Sequence, residues 1–350
     1  MAIQIGINGF GRIARILIRQ ISQDPRLQLV AINYYNVDLE TMKYLLMHDT
    51  TYGRWDKSII VDKDKNALII SGRAVEVYDN KDIKAIKWDS RISTVIDTTG
   101  VFQTTALLRY HHVKHVILSS PPKDDTPMFV YGINHYDYDN DAHQVISSSS
   151  CTTNCLAVPL HALHTYFGID KCSVTAVHAV TNSQSVLDSR AVKDVRRGRA
   201  CFQNIIPTST GASESIVKIL PGLKGKIVCS AVRVPVPAGS LMILDVSLRR
   251  KTTLTELTDR LLALSHQYLY EVLNVLEHPI VSSDIIGNKY VANFDPFSSR
   301  QLDGHNFKLF FFFDNECSYS HNLLNLLKWI NRARDECVPF RVRIIQAAKR

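Results

Sequence analysis

The sequence has few of the features that mark specialised classes of protein. No run reaches the roughly 18 apolar residues that a membrane-spanning helix needs, and the most apolar one, Leu309 to Phe313, has the length of a strand. The N-terminus lacks the basic and then apolar segments of a secretory signal. Seven cysteines in 350 residues are too few for a disulfide framework, and the odd number leaves at least one thiol free. We therefore expect a cytoplasmic protein that has no membrane partner.

The composition is that of an ordinary globular protein with a basic excess. Hydrophobic residues make up 45% and charged residues 21%, which excludes disordered and collagen-like chains. At about 100–200 residues per domain, the length predicts two domains. The net charge of +8 suits anionic small substrates, nucleic acid or mere solubility. Part of it lies in a basic C-terminal tail, residues 337–350, which we interpret as a solvated terminus.

The hydrophobic pattern predicts two kinds of architecture in succession. Apolar runs at Ile3–Ile7 and Leu27–Ile32 flank a segment with helical spacing, which indicates a parallel α/β unit. Further strands are predicted at Thr94–Ile96 and Val113–Leu118. After residue 150 a helix with Pro159 in its first turns is expected. Longer strands of a mixed or antiparallel sheet and two more helices then follow, at Val174–His178, Ala231–Val236, Met242–Leu248, Thr255–Leu273 and Asn322–Trp329.

A glycine-rich turn connects the first strand to the first helix. Gly9, Gly11 and Ala14 fit the G-x-G-x-x-G/A fingerprint of dinucleotide-binding domains. A lone match is weak, but this one has the required strand before it and helix after it. The acid that normally accepts a hydroxyl of the NAD ribose is missing, because Tyr34 stands there and the next acid is Asp38. The residues leave the choice between NAD and NADP open.

Cys151 is the candidate nucleophile. It follows three serines and opens a predicted helix, where the positive end of the helix dipole favours a thiolate. His178, on a later strand, is the candidate base. From spacing alone, a buried cysteine and a core histidine are the more common pair. Cys155 is predicted to be structural, and no metal site is expected, because no second cysteine or histidine pair has the spacing of metal ligands.

The motifs together resemble the phosphorylating glyceraldehyde-3-phosphate dehydrogenase family, as a divergent, bacterial-type member, from about residue 3 to residue 330. The segment Gly6–Ile13 matches the opening motif of the family, and Ser150–Cys155 matches its active-site signature. Further matches follow in the order of the family at Asn204–Ala212, Arg233–Pro235, Val281–Asp284 and Asp314–Glu316.

The resemblance implies a fold, a reaction and an assembly. A Rossmann domain (1–150, joined by a C-terminal helix at 318–336) would bind the cofactor, and an α+β domain with a mixed or antiparallel sheet (151–317) would be catalytic. Cys151 would attack the aldehyde of glyceraldehyde 3-phosphate, with His178 as general base. Hydride transfer would leave a thioester, which inorganic phosphate cleaves to 1,3-bisphosphoglycerate. A cytoplasmic homotetramer acting in glycolysis is expected, with Arg196, Arg197 and Arg199 near subunit contacts.

The resemblance also assigns binding residues. Those implied for the cofactor, NAD with NADP usable, are Asn8, Gly9, Gly11, Arg12, Ile13, Tyr34, Lys81, Ser119 and Asn315. The phosphate of the substrate would bind Thr181 and Arg233. The attacking phosphate would bind Ser150, Thr152, Thr210 and Gly211.

Three departures from the family pattern bear on cofactor use. Tyr34 replaces the usual acid at the ribose. The loop Asp188–Arg199, which in the family reaches toward the cofactor of a neighbouring subunit, carries Arg190 where many relatives that use NAD have an uncharged residue. This arginine predicts tolerance of the 2′-phosphate of NADP. Cys317 and Ser318 replace an aromatic residue and a glycine at the nicotinamide end.

Two alternative functions stay open. Erythrose-4-phosphate dehydrogenases are similar but as a rule lack a threonine at the position of Thr181, so Thr181 and Ser209–Gly211 favour the three-carbon substrate. A protein that kept the fold but binds nucleic acid or protein would use the basic tail. The tail lacks the interleaved aromatic residues of a single-strand platform apart from Phe340, so we do not expect nucleic acid as a partner.

Overall fold

A computed structural model describes residues 2–191 and 194–332. These residues form two compact units. Of the described residues, the first unit contains the chain up to Ser150 and residues 323–332, and the second runs from Cys151 to Asn322. The basic tail predicted at 337–350 lies outside the described residues.

The first unit is an eight-stranded sheet with helices, in the order β3-β4-β5-β2-β1-β6-β7-β8. The five strands from β2 to β8 in this order are parallel, and β3, β4 and β5 form an antiparallel extension whose last strand pairs parallel to β2. The strands are β1 Ile3–Asn8, β2 Leu27–Asn33, β3 Ile59–Asp62, β4 Ala67–Ile70, β5 Arg73–Tyr78, β6 Thr94–Asp97, β7 His115–Leu118 and β8 Val145–Ser147. The helices are α1 Arg12–Ile21, α2 Leu39–Met47 and α3 Thr105–Leu108.

The central parallel strands are apolar because both of their faces are buried. Ile5, Ile7, Val95 and Ile96 have no exposed surface, which is the usual state of strands covered by crossover helices. This is why short continuous apolar runs, rather than alternating ones, mark these strands in the sequence. The predicted strand from Val113 is shorter in the structure, where β7 begins at His115.

The second unit is a seven-stranded mixed sheet in the order β10-β11-β9-β12-β15-β14-β13. Its central neighbours are antiparallel, whereas β9 with β11 and β13 with β14 are parallel. The strands are β9 Ile169–His178, β10 Ile206–Thr208, β11 Ile227–Arg233, β12 Ser240–Leu248, β13 Leu273–Val275, β14 Ala292–Gln301 and β15 Asn306–Phe313. The helices are α4 Cys151–Phe167, α5 Ala212–Ile219 and α6 Leu254–Ser265. A last helix, α7 Cys317–Ile330, begins in this unit, and its residues from Leu323 belong to the first unit. The predicted fold class, a parallel α/β domain followed by an α+β domain, is confirmed.

Two helix predictions were wrong in detail. The helix expected over Thr255–Leu273 ends at Ser265, and Leu273 begins β13. Leu269 in the connecting turns is fully buried, so the apolar spacing continues where the helix does not. Pro159 lies in the middle of α4 and not in its first turns. Because proline has no N–H, the carbonyl of Cys155 has no i→i+4 donor there.

Candidate active site

The glycine turn is shaped by contacts within the first unit. Gly9 has φ +107°, and a Cβ on it would lie 2.5 Å from Thr98 Oγ1 and 3.2 Å from two backbone atoms of Thr98 and Thr99. Gly11 is the N-cap of α1, and a Cβ there would meet nothing within 4 Å. Gly9 is therefore required by the fold, whereas Gly11 leaves open space at a helix N-terminus. Such a space, lined by backbone N–H groups, fits a pyrophosphate.

Buried amides fix the carboxyl ends of the neighbouring strands. Asn8 donates to Asp97 Oδ2 over 2.8 Å and accepts from Asn33 Nδ2 over 2.8 Å. The other oxygen of Asp97 accepts from the backbone N–H and the hydroxyl of Thr99. Asn8 is only 1% exposed, so both ends of its side chain are occupied within the fold. Asn8 therefore holds the strand ends under the glycine turn.

A histidine that the sequence analysis did not single out completes this group. His111 Nε2 lies 3.2 Å from Asp97 Oδ2, and Trp88 Nε1 donates to His111 Nδ1 over 3.0 Å. Because the indole can only donate, His111 Nδ1 is an acceptor and its proton is on Nε2. Both oxygens of the Asp97 carboxylate thus accept hydrogen bonds within the fold. Since His111 is far from Asp97 in sequence, no local pattern could have revealed the pair.

The other residues predicted to hold the cofactor in this unit lie around the same strand ends. The ring of Tyr34 lies 5.8 Å from that of Phe10, and Lys81 Nζ lies 5.7 Å from the centroid of the Tyr35 ring. Arg12, in the first turn of α1, forms an ion pair with Asp49 over 2.9 Å. Ile13 follows it in α1, and the backbone N–H of Ser119 donates to Asp97 at the end of β7.

The thiol and the imidazole meet in the second unit. Cys151 begins α4, and its Sγ lies 3.4 Å from Nε2 of His178, the last residue of β9. Two residues earlier the chain turns sharply, with Ser149 at φ +60°. This positive φ turns the backbone from β8 into α4, so that the thiol stands at the helix N-terminus.

The electrostatic state of the pair differs from the sequence expectation. Burial raises the pKa of Cys151, although Arg233 and the hydrogen bonds of Thr152 oppose the shift. Burial, and next the charge of Arg233, lowers the pKa of His178 to about 3. Burial of the thiol thus opposes the effect that the helix N-terminus is expected to have on the thiolate.

One guanidinium group contacts the imidazole. Arg233 Nη1 is 2.6 Å from His178 Nδ1 and 2.8 Å from the carbonyl oxygen of Ala179. Burial lowers the pKa of Arg233, and the charge of Arg197 adds to this shift. Arg197 itself donates to Thr208 Oγ1 over 2.8 Å. A guanidinium at this place suits an anionic ligand.

The residues predicted to bind phosphate belong to the second unit, except for Ser150. Thr181 Oγ1 is 2.9 Å from Ser183 Oγ, just after β9. Thr210 Oγ1 accepts from the backbone N–H of Ala212, and Gly211 is the N-cap of α5. Thr152 is buried in the first turn of α4. Ser150 is the last residue of the first unit before Cys151.

Comparison with known proteins gives the family. Residues 3–105 match the glyceraldehyde 3-phosphate dehydrogenase NAD binding domain, and residues 150–315 match the C-terminal domain of the same enzyme. The chain belongs to the glyceraldehyde-3-phosphate dehydrogenase family. The resemblance drawn from the motifs is confirmed, and so is NAD as the cofactor of the N-terminal domain.

Curated relatives align over nearly the whole chain. The cytosolic glyceraldehyde-3-phosphate dehydrogenase of Leishmania mexicana is 38% identical over 93% of this chain and 98% of its own. Glyceraldehyde-3-phosphate dehydrogenase 1 of Schizosaccharomyces pombe is 40% identical over 93% of this chain and 97% of its own. Glyceraldehyde-3-phosphate dehydrogenase 2 of Bacillus subtilis is 36% identical over 94% of this chain and 97% of its own. Both domains are therefore covered.

The asparagine that the family pattern assigns to nicotinamide is held by a serine. Ser240 Oγ donates to Asn315 Oδ1 over 3.2 Å and accepts from the backbone N–H of Ala179 over 3.1 Å. Ser240 begins β12 and is 1% exposed. This hydrogen bond from Ser240 orients the side-chain amide of Asn315 and leaves Nδ2 as the donor for a ligand. Sequence analysis missed Ser240, because one serine in an alternating strand carries no signal.

The residues that depart from the family pattern at the nicotinamide end contact backbone carbonyl oxygens of the second unit. Cys317 Sγ lies 3.5 Å from the carbonyl oxygen of Gly287, and Ser318 donates to the carbonyl oxygen of Asp314 over 2.6 Å. In the loop Asp188–Arg199, Asp188 and Arg199 form an ion pair over 3.0 Å. Arg190 is exposed. Residues 192 and 193 of this loop lie outside the described residues.

The structure also bears on the role of Cys155, on metal binding and on membrane-spanning helices. Cys155 is fully buried and burial raises the pKa of its thiol well above the ordinary value, as suits a structural cysteine. Within residues 2–191 and 194–332, no group of three His, Cys, Asp or Glu side chains is arranged to hold a metal ion. No helix in that part of the chain has the length and apolar character needed to span a membrane.

Proposed function

We propose that this protein oxidises D-glyceraldehyde 3-phosphate to 1,3-bisphosphoglycerate, with NAD as the oxidant and inorganic phosphate as the second substrate. The observation that carries the proposal is the 3.4 Å separation of Cys151 Sγ and His178 Nε2 at the start of α4. A thiol and an imidazole within proton-transfer distance are what acyl transfer through a thioester requires. The names of the relatives point to the same reaction.

The residues of this chain perform the proton transfers. As Cys151 Sγ attacks the aldehyde carbon, His178 takes the thiol proton and passes it to the aldehyde oxygen, so that a neutral thiohemiacetal forms. The neutral His178 then takes the proton of that hydroxyl group as the carbonyl of a thioester forms on Cys151. NAD, when bound, would accept the hydride that leaves the carbon. A phosphate oxygen attacks the thioester, and the protonated His178 returns its proton to Sγ as the thiol leaves.

Two anion sites flank the thiol in this proposal. Arg233 and Thr181 bind the phosphate of the substrate, with Arg197 adding a second positive charge. Ser150, Thr152, Thr210 and Gly211 bind the attacking phosphate. Hydroxyl groups, backbone N–H groups and guanidinium suit phosphate oxygens in shape and charge. The buried guanidinium of Arg233 next to His178 supports the first site.

NAD binding is proposed for the residues that the family pattern assigns to the cofactor. The open space at Gly11, before the N-terminus of α1, takes the pyrophosphate. Gly9, Arg12, Ile13, Tyr34, Lys81 and Ser119 surround it, while Asn8 supports the turn from beneath. Asn315 donates its amide hydrogen to the carboxamide of nicotinamide. Because no carboxylate stands at Tyr34 to repel a 2′-phosphate, NADP is also usable.

The assembly and domain roles complete the proposal. Residues 1–150, joined by the C-terminal segment 318–336, bind the cofactor, and residues 151–317 carry the chemistry. The protein acts as a homotetramer in the cytoplasm, and Arg196 and Arg199 lie in or near subunit contacts. The cytosolic relative in Leishmania mexicana supports the location.

Initial-rate kinetics test the proposal directly. Reduction of NAD and of NADP is followed side by side with glyceraldehyde 3-phosphate and inorganic phosphate. Turnover should depend on phosphate and vanish in Cys151→Ser and after treatment with iodoacetamide. If the folded tetramer turns over neither cofactor, the proposal fails, and erythrose 4-phosphate is the next substrate to test.

A further inference from the structure

A buried carboxylate joins the turns that follow two neighbouring parallel strands. Asp97 is the last residue of β6 and has no exposed surface. Its Oδ1 accepts from the N–H and the hydroxyl of Thr99 over 3.0 and 2.7 Å, and its Oδ2 accepts from Asn8 Nδ2 over 2.8 Å. Asn8 ends β1, directly before Gly9 of the dinucleotide turn. One side chain therefore fixes both the turn after β6 and the start of the dinucleotide turn.

The two turns also pack directly against each other. Thr98 donates to the carbonyl oxygen of Asn8 from its N–H over 2.8 Å and from its hydroxyl over 2.9 Å. A Cβ on Gly9 would lie 2.5 Å from Thr98 Oγ1, so a shift of the turn after β6 displaces the dinucleotide turn. In the sheet, β6 lies on one side of β1 and β2 on the other. Dinucleotides bind in the crevice where the strand order reverses in this way, which is directly above Asp97.

The Asp97 carboxylate depends on His111 for one of its donors. His111 Nε2 lies 3.2 Å from Asp97 Oδ2, and the residue is 1% exposed. Because Trp88 Nε1 donates to His111 Nδ1 and an indole cannot accept, Nε2 carries the proton and donates to Asp97. The other donors, from Asn8 and Thr99, are also neutral, and no lysine or arginine among the described residues forms an ion pair with Asp97. A buried carboxylate that loses one of so few donors must turn to replace it.

We propose that His111 is a positioning residue for NAD, which acts through Asp97 to keep both turns in the conformation that admits the pyrophosphate. The inference rests on the proposed function, which places the pyrophosphate at Gly11. Both ring nitrogens of His111 have partners within the fold, so its effect on NAD is indirect. Without its bond to Asp97, the free protein holds the ordered turns for only part of the time. The apparent Kd for NAD rises in inverse proportion to that fraction, whereas the NAD complex itself keeps its kcat.

Two amide replacements of His111 separate the bond to Asp97 from the loss of the ring. The amide of glutamine reaches the place of Nε2, and that of asparagine reaches only the place of Nδ1. His111→Gln therefore keeps a donor for Asp97, whereas His111→Asn keeps only a partner for Trp88. Calorimetric titration of the full-length protein with NAD should give a Kd at least about tenfold higher for His111→Asn, the usual worth of a hydrogen bond to a charged group. His111→Gln should recover most of the affinity. The KM for NAD should follow the Kd, while kcat at saturating NAD stays that of the wild type.

Hydrogen exchange in the absence of NAD tests the cause. The backbone amides of residues 97–101 should exchange faster in His111→Asn than in the wild type, and His111→Gln should restore their protection. Urea unfolding is run on both variants, because both lose the same buried ring. The neighbouring exposed histidine gives the matched control, since His112→Asn should leave exchange and NAD affinity unchanged.

The binding results decide the inference without turnover. An equal Kd for NAD in the wild type and His111→Asn, or an equal loss of affinity in His111→Asn and His111→Gln, overturns it. If His111→Asn does not fold, Thr99→Val takes its place, because it removes another donor to Asp97. An unchanged Kd in Thr99→Val would then count against the role of the carboxylate. A wild type that binds NAD but does not oxidise glyceraldehyde 3-phosphate would overturn the proposed function alone.

Discussion

The two glycines of the dinucleotide turn should fail in different ways when each is replaced by alanine. In Gly9→Ala, a side chain is forced to φ +107° and its Cβ lies 2.5 Å from Thr98 Oγ1. A strained backbone of this kind costs about 1–3 kcal/mol, and the two backbone atoms at 3.2 Å cannot rotate away. With a urea m-value of about 2 kcal/mol/M, the midpoint of the first unit should fall by about 1 M.

Gly11→Ala is the matched control. Its Cβ meets nothing within 4 Å and its φ is −69°, so the cost is that of a poorer N-cap, less than about 1 kcal/mol. The methyl group, however, occupies the space into which the pyrophosphate fits, so calorimetric titration should show a large loss of NAD affinity. Urea unfolding and NAD titration are run on both variants. Equal stability of Gly9→Ala and the wild type, or normal NAD binding by Gly11→Ala, would refute the reasoning.

Three further predictions follow from side chains outside the turn. Ser240→Ala leaves the N–H of Ala179 unpaired and removes the hydrogen bond to Asn315. The KM for NAD should therefore rise, and about 1–3 kcal/mol of stability should be lost. Unchanged values would exclude Ser240 as the residue that orients Asn315. Burial lowers the pKa of His135 from 6.5 to about 3. Protonation therefore favours the unfolded chain, so this contribution to stability is complete above pH 6.5 and is lost as the pH falls toward 3. At pH 5 the free energy of unfolding is about 2 kcal/mol lower for this reason. The urea midpoints of His135→Gln should therefore fall less steeply with acid than those of the wild type. Arg190→Ala should weaken NADP and not NAD in binding titrations, and equal affinity for NADP before and after the change would contradict it.

Local patterns predicted the strand ends and the nucleophile, but not the partners that come from other elements. Cys151 and the glycine turn are marked by motifs of a few adjacent residues. His111, in a short helical turn, contacts Asp97, and Ser240, at the start of β12, contacts Asn315. Their neighbours in sequence give no hint of these contacts, because they depend on tertiary packing, which the hydrophobic pattern does not specify.

The environment of the thiol could not be predicted for a different reason. The position of Cys151 at a helix N-terminus is visible in the sequence, and its effect on the thiolate has a known sign. How much water the fold removes from Sγ is not visible, and here that removal acts in the opposite direction. The end of α6 was also hidden, because Leu269 is buried in turns that continue the helical spacing. Burial, more than secondary structure, is what the sequence leaves undetermined.

Strand β15 has a consequence for how the protein is made. It ends in four consecutive phenylalanines, Phe310–Phe313, in a segment without proline, and such segments aggregate readily when they are exposed. In the sheet it pairs with β12 on one side and β14 on the other. Both of these strands precede it in the chain, so a ribosome has synthesised both neighbours before β15 emerges. The order of the strands along the chain thus limits the time for which this segment waits for its partners during translation.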